Sequence, residues 1–498
     1  MTRSLDFLRR HNFAIMLLLL LTGIGFHFAT VSYSPVHWCD EVHICELARD
    51  GIGEKATDWN FDMLSCSNLE LNRQSWAFYW LGGFLSEFGY QMFGHSGARI
   101  ITLMILFVST LCLWLYVLKK SGSSAFASLV AVLFFSHPMI TQSVRGGRFD
   151  VLAIGAIVSA LAVLQLGHDS RFRERLFFAV SGFFVIVAVF SWITVAVAIP
   201  VVFWEMLDTA RAGRRSLRDV VSLFAYALIG AVVAMTIFAT PFYANIRRTI
   251  DIATFVVPSV AGRAGGVEHF KGVFASIFAF PLFLPLALLP LFLWRRYWIV
   301  AVGVLAYVFV LMKTTCYVYR MIYFLPYAVV GIVGGYVSFK SRLLKKAYIT
   351  LLSVMAMFFY GRSVFARNIS EYFARPWRDY DKVQAEVASA VGFGVSCFND
   401  SFQLYYLGRE LGWKQYAPLG VALCKKELDG VSIYIGDKGR IPEGILKENG
   451  FEFYREICTP VPPEPGTVAD FLMKANRLSA LGPYLIYRRG DGHIVKDH

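Results

Sequence analysis

The sequence predicts a mainly α, polytopic transmembrane helical bundle of about eleven helices carrying a small C-terminal α/β domain. Three observations predict it. Over the 498 residues, 56% are hydrophobic and only 17% charged, more apolar surface than a soluble protein can hide. The apolar residues fall in runs of bilayer length, separated by short basic clusters. After about Arg362 the pattern changes, with charges and turn residues returning between short strand-like and helix-like runs.

Met1 to His11 carries Arg3, Arg9 and Arg10 ahead of an apolar run, Phe13–Val31. The run is nearly long enough to span a bilayer and no small-residue cleavage site follows, so the reading is a retained first helix rather than a removed signal peptide. Further spans are expected at Ala98–Leu118, Ser123–Ile140, Val151–Leu166, Leu176–Leu207, Val220–Phe242, Val273–Trp294, Tyr297–Met312, Met321–Phe339 and Ala347–Tyr360. The run Leu176–Leu207 is about 48 Å as helix, short for two full crossings of a ~30 Å core. A tight or partly re-entrant hairpin near Ser191-Trp192 accommodates it. The clusters Lys119/Lys120, Arg171/Arg173/Arg175, Arg211/Arg214/Arg215/Arg218, Arg295/Arg296 and Lys340/Arg342/Lys345/Lys346 then all share one side with Met1–His11. By the positive-inside rule that side is cytoplasmic, which also accounts for the net charge of +13 without nucleic acid.

The opposite side receives the loop 32–97, the turn Arg145–Asp150, the loop Tyr243–Lys271 and everything after Arg362. This divides the chain into a transmembrane domain, 1–361, whose external loop 32–97 carries the candidate active site, and a domain at 362–498. The latter alternates strand-like runs (Val395–Phe398, Val431–Ile435, Phe451–Ile457, Tyr484–Tyr487) with helical ones (Asp379–Ala390, Pro442–Asn449) and has no nucleotide-binding glycine loop. Cys39, Cys45, Cys66, Cys397, Cys424 and Cys458 lie on this external side, three in each region, so the spacing leaves their pairing open.

The loop opens with Asp40-Glu41 at the mouth of the first helix. Carboxylates are costly at a membrane boundary and there mark chemistry or an ion path, or else belong to a solvated loop. Against the positive-inside rule, Arg73, Arg99, Arg145, Arg148, Arg247, Arg248, Arg263, Lys271, Lys313 and Arg320 share the external face. Any one of them is explained by snorkelling to headgroups. Together with Asp40, Glu41 and Asp150 they form a site suited to an anionic group, because the guanidinium fork binds phosphate bidentately. His37 and His43 add possible metal ligands to Asp40 and Glu41, but no compact ligand spacing extends beyond them and no metal or other cofactor is assigned.

Read in order, these residues resemble membrane glycosyltransferases of the C-type fold, nearest to the lipid A aminoarabinose transferases and the wider protein-mannosyltransferase-like group. Asp40-Glu41-Val42-His43-Ile44 and Glu46-Leu47-Ala48-Arg49 are similar to the family's D-E-x-R-Y-(x)-E-I-A-R segment. Asn72-Arg73-Gln74-Ser75-Trp76-Ala77-Phe78-Tyr79-Trp80 resembles its K-P-P-L-x-Y-W segment. Val144-Arg145-Gly146-Gly147-Arg148-Phe149-Asp150 resembles the R-x-D turn that opens the fourth helix. Lys313 to Tyr317, then Arg320, Tyr323 and Pro326, resemble the late segment that meets the carrier phosphate. His43 stands at the family's arginine, Arg73 at its lysine, and the lysine expected in the Ser191–Thr194 region is absent.

The resemblance implies inverting transfer of a sugar from a polyprenyl-phosphate donor to an acceptor hydroxyl outside the cytoplasm. Asp40 is the candidate general base, and Glu41 binds the acceptor or orients Arg73. Asp150 holds an arginine, assists Asp40, or caps its helix. Arg73, Lys313, Arg320, His43 and Arg148 are candidates for gripping the donor phosphate, and Tyr79, Trp80 and Tyr323 for contacting sugar or lipid, although aromatics at this depth also serve as belt residues. The expected setting is a bacterial inner membrane, N-terminus cytoplasmic and C-terminal domain periplasmic, with the protein a monomer among membrane lipids. The acceptor is expected to be lipid-linked or another glycan, lipopolysaccharide core or lipid A first; protein O-glycosylation and other envelope glycans are the same-fold alternatives. A lipid-linked sugar flippase is the competing class, but the sequence lacks the internal repeat and matched broken helices of transporters.

Overall fold

The computed structural model describes residues 2–33, 41–42, 45, 80–166, 170–212, 216–240, 301, 303, 305, 322–393, 395–415, 428, 430–438, 443–457, 464–475 and 481–490. The expected spans Val273–Trp294 and most of Tyr297–Met312 lie outside them. The described residues fold as two compact units. One gathers residues from Met1–Gly25, Ser75–Leu85 and Arg99–Phe365; the other from Phe26–Gln74, Ser86–Ala98 and Ala366–His498.

The first unit is helical. Its chain order is α1 (Thr2–Thr30), α2 (Trp80–Phe93), α3 (Gly97–Ser121), α4 (Ser124–Phe135), α5 (Pro138–Arg145), α6 (Asp150–Leu164), α7 (Arg171–Ser191), α8 (Ile199–Ala212), α9 (Leu217–Ala239), α10 (Leu325–Ser338) and α11 (Arg342–Phe359), with α1 and α2 continuing into the second unit. Among the described residues six helical stretches are long and apolar enough to cross a membrane, or seven if α4 and α5 count as one. The protein is an integral membrane protein.

Serine starts four of these helices. The hydroxyls of Ser123, Ser170, Ser216 and Ser341 accept from the backbone N–H three residues on, capping α4, α7, α9 and α11 beside the basic clusters. The expected single span Ser123–Ile140 is instead two helices bent by 49°. Pro138 has no N–H to continue α4, so a new helix starts there, capped by His137 Nδ1 accepting from the Met139 N–H at 3.3 Å. The run Leu176–Leu207 breaks where a turn was expected. Helix α7 stops at Ser191, Trp192 is extended (φ −165°, ψ 109°), and a 3-10 stretch, Ile193–Ala198, leads into α8. The last span also differs: α11 runs through a π-helical stretch, Tyr360–Ala366, into α12 (Arg367–Phe373), past the change of composition at Arg362.

Helices cannot rely on water expulsion to associate inside lipid, so close backbone approach at small residues takes its place. Helices α7 and α9 meet this way. A Cβ on Gly182 would lie 1.9 Å from the Ala227 carbonyl oxygen, and one on Gly230 1.8 Å from that of Ala179.

The sheet lies in the second unit. Its strands are β1 (Cys397–Asp400), β2 (Lys414–Gln415), β3 (Ile433–Asp437), β4 (Phe451–Ile457) and β5 (Tyr484–Arg489), in the order β2-β1-β3-β5-β4. Strand β1 is parallel to β2 and β3, whereas β5 is antiparallel to β3 and β4. The runs of β3 and β5 are buried on both faces, whereas β4, at the edge, is exposed along most of its length. Ile433, Ile435, Tyr484 and Ile486 face a core closed by Val383 and Val387 of α13 (Tyr380–Val391). Tyr434, Leu485 and Tyr487 face a second core containing Leu446 of α15 (Glu443–Glu448). Cys45 and Cys397 are buried, and burial pushes the Cys397 thiol well above its usual range.

Gly182→Val or Gly230→Leu should force α7 and α9 apart and cost about 1–3 kcal/mol. Thermal melting in detergent is expected to fall for either variant and to stay unchanged for Gly25→Ala, where a Cβ meets nothing within 4 Å.

Candidate functional site

The turn 145–150 is built by its glycines. After α5 the Gly147 N–H bonds to the Val144 carbonyl (3.1 Å) and the Arg148 N–H to the Ser143 carbonyl (3.0 Å), the paired bonds of a Schellman ending. Gly147 sits at φ +61°, where a side chain would be strained, and Ser143 Oγ donates to the Arg148 carbonyl at 3.2 Å. The chain thus reverses within a few residues and delivers Arg148 and Asp150 side by side at the start of α6.

Asp150 is the first residue of α6 and is 1% exposed. Its carboxylate does not cap the helix. It accepts from Arg148 Nε (2.7 Å to Oδ2), from Arg148 Nη2 (3.4 Å to Oδ1), and from the Tyr323 hydroxyl at Oδ1. Of the roles open from sequence, holding an arginine is the one observed. The negative end of the pair also sits at the positive end of the α6 dipole.

The other partners come from the turn that leads into α10 and from the break after α7. Tyr323, fully buried, lies in the single turn 322–324 just before α10. Trp192, the extended residue after α7, places its indole 5.3 Å from the Arg148 guanidinium carbon, a cation–π contact. Arg145, on the preceding turn, is also buried. The result is a carboxylate with two fixed donors and a guanidinium with one fixed face, in a water-poor setting. Such a group can orient a hydroxyl or an anion without rearranging during a reaction.

Among the candidates from sequence, Arg148, Asp150 and Tyr323 come together here. Glu41 is fully buried in the second unit, where its neighbours Val42 and Cys45 pack against Tyr405 and Tyr406. Trp80 opens α2. Asp40, His43, Arg73, Tyr79, Lys313 and Arg320 lie outside the described residues, as does the side chain of Trp80. Among the described residues no three His, Cys, Asp or Glu side chains are grouped to hold a metal ion. Trp192 was not a site candidate from sequence. Its signal was the helix break it occupies.

No family model matches the chain, and no curated protein does. Solved structures do. The chain is similar to ArnT from Cupriavidus metallidurans in the apo state (14% identity, TM-score 0.55, covering 89% of this chain and 95% of that one). It is also similar to the same protein bound to undecaprenyl phosphate (14% identity, TM-score 0.58, 95% and 98%). The chain shares the ArnT fold over nearly its whole length.

Asp150→Asn removes the carboxylate that Arg148 grips and should destabilise the protein by about 3–5 kcal/mol. Tyr323→Phe should cost about 1.5–3 kcal/mol, one hydrogen bond to a charged acceptor. Adding Arg148→Met to Asp150→Asn is expected to recover part of the loss in thermal melts, because the cation that faced the lost carboxylate is removed with it.

Proposed function

We propose that the protein is a membrane glycosyltransferase that moves a sugar from a polyprenyl-phosphate donor to an acceptor hydroxyl on the extracytoplasmic side of a bacterial inner membrane, with inversion. The observation that carries this reading is the fold shared over 95% of the chain with an ArnT structure bound to undecaprenyl phosphate. The Arg148-Asp150-Tyr323 cluster supports it, because it falls on two of the four segments that resemble this class of enzyme.

In this reaction the acceptor oxygen attacks the anomeric carbon as the bond from that carbon to the phosphate oxygen breaks. The electron pair leaves with the polyprenyl phosphate, and the hydroxyl proton passes to a carboxylate. Asp40 is the proposed base, since it opens the external loop at the membrane boundary. Arg73, Lys313 and Arg320, with His43 when protonated, stabilise the growing negative charge on the leaving phosphate. Attack from the face opposite the phosphate gives inversion in one step. Glu41 binds the acceptor or orients Arg73. Asp150 has a supporting role: it holds Arg148, a further candidate for meeting the donor phosphate, and accepts from the Tyr323 hydroxyl. Tyr79 and Trp80 supply a stacking face for the sugar. The acceptor is lipopolysaccharide core or lipid A, and domain 362–498 faces the periplasm, where it handles that acceptor.

Asp40→Asn should lower turnover at least about 100-fold while leaving expression and binding of polyprenyl phosphate intact. The measurement is release of free polyprenyl phosphate from a synthetic polyprenyl-phosphate sugar. Turnover retained in that variant would remove Asp40 from the mechanism.

A further inference from the structure

A second ionic cluster lies in the second unit. Helix α2 presents Glu87, Tyr90 and Gln91 at i, i+3 and i+4, one face of a helix. Arg409, on α14 (Tyr405–Glu410), docks on that face. Its Nη1 donates to Glu87 Oε2 and its Nη2 to Glu87 Oε1, both at 2.6 Å, while its plane lies 4.2 Å over the Tyr90 ring. Gln91 Nε2 donates to Glu87 Oε1 at 3.0 Å. Tyr90 in turn stacks on Tyr406 at 5.2 Å.

The cluster reaches a third segment. Cys45 Sγ accepts from Arg409 Nη1 at 3.4 Å and lies 3.8 Å from Glu87 Oε2. Cys45 and Val42 are fully buried against Tyr405 and Tyr406. One guanidinium therefore ties together α2, the C-terminal domain and the short stretch that includes Glu41. A bidentate fork over an aromatic plane restricts both distance and rotation, which an ammonium cannot do. Side chains of the pair are only 13% and 14% exposed, so water competes weakly for it.

We propose that Arg409 is a positioning residue for the transfer reaction: through Glu87 and Cys45 it holds the stretch that includes Glu41, the residue next to Asp40 in the sequence. This rests on the transferase reading, in which those carboxylates do the chemistry. Removing the fork leaves donor binding in place and loosens Glu41 and the stretch it belongs to. Loss of placement, rather than loss of binding, is the signature.

The test compares Arg409→Lys, Arg409→Ala and Asp40→Asn in the full-length protein, with turnover expressed per folded molecule after size exclusion and thermal melting. Arg409→Lys keeps the charge and discards the fork. It is expected to lower kcat between about tenfold and 100-fold, with KM for a synthetic polyprenyl-phosphate sugar within about twofold of the parent. Arg409→Ala is expected to lose as much or more; should it fail to fold, Arg409→Lys decides. Parent-like kcat per folded molecule in Arg409→Lys, with Asp40→Asn inactive, would overturn the positioning role and leave the transferase reading standing. An active Asp40→Asn would instead overturn the assignment of the carboxylates on which the proposal rests.

Discussion

A charge inside an apolar bundle is tolerated only where it is paired on the spot. Asp150, first residue of a helix that is otherwise apolar, meets that demand through Arg148 two residues earlier and the hydroxyl of Tyr323. Much of the local architecture follows from this pairing. The Schellman ending stops α5 just before Arg148, which bonds to Asp150 two residues on, and Gly147 takes the positive φ that this ending needs. The break after Ser191 supplies an indole for the other face of the guanidinium, and the turn before α10 supplies the phenol. Three departures from regular helix converge on one ion pair.

The second unit solves a related problem differently. In its sheet β3 and β5 are buried on both faces, each covered by a helix, so its stability is that of an ordinary layered core. Within this unit Arg409 bonds to Glu87 and Cys45 through its two terminal nitrogens while its guanidinium carbon lies over Tyr90. A guanidinium serves here, and in the Arg148 pair, because it can be neutralised along its edge and packed along its face at once.

The sequence was most informative where physical chemistry is local. Apolar runs marked α3, α6, α7 and α9, and short strand-like runs marked β1, β3, β4 and β5 within a few residues. The short run that was too long for one span and too short for two broke at Trp192, as its length required. Hydropathy alone missed the bend at Pro138, because both halves are equally apolar and only the missing N–H separates them. It also missed β2, a two-residue strand with no pattern to detect. At the candidate site, Arg148 and Asp150 were legible because they share a turn, and Tyr323 because it sits in a family-like segment. Trp192 and the Arg409–Glu87 pair were not, since contacts between residues 44 to 322 positions apart leave no periodicity behind.

The proposed activity makes a stoichiometric demand that transport and scaffolding do not share. Purified protein in vesicles, supplied with a labelled polyprenyl-phosphate sugar and lipopolysaccharide, can be followed by mass spectrometry of both lipids. One free polyprenyl phosphate is expected for each sugar gained by the acceptor, with the anomeric configuration inverted. Donor recovered intact, on either leaflet, with the acceptor unchanged would contradict the account.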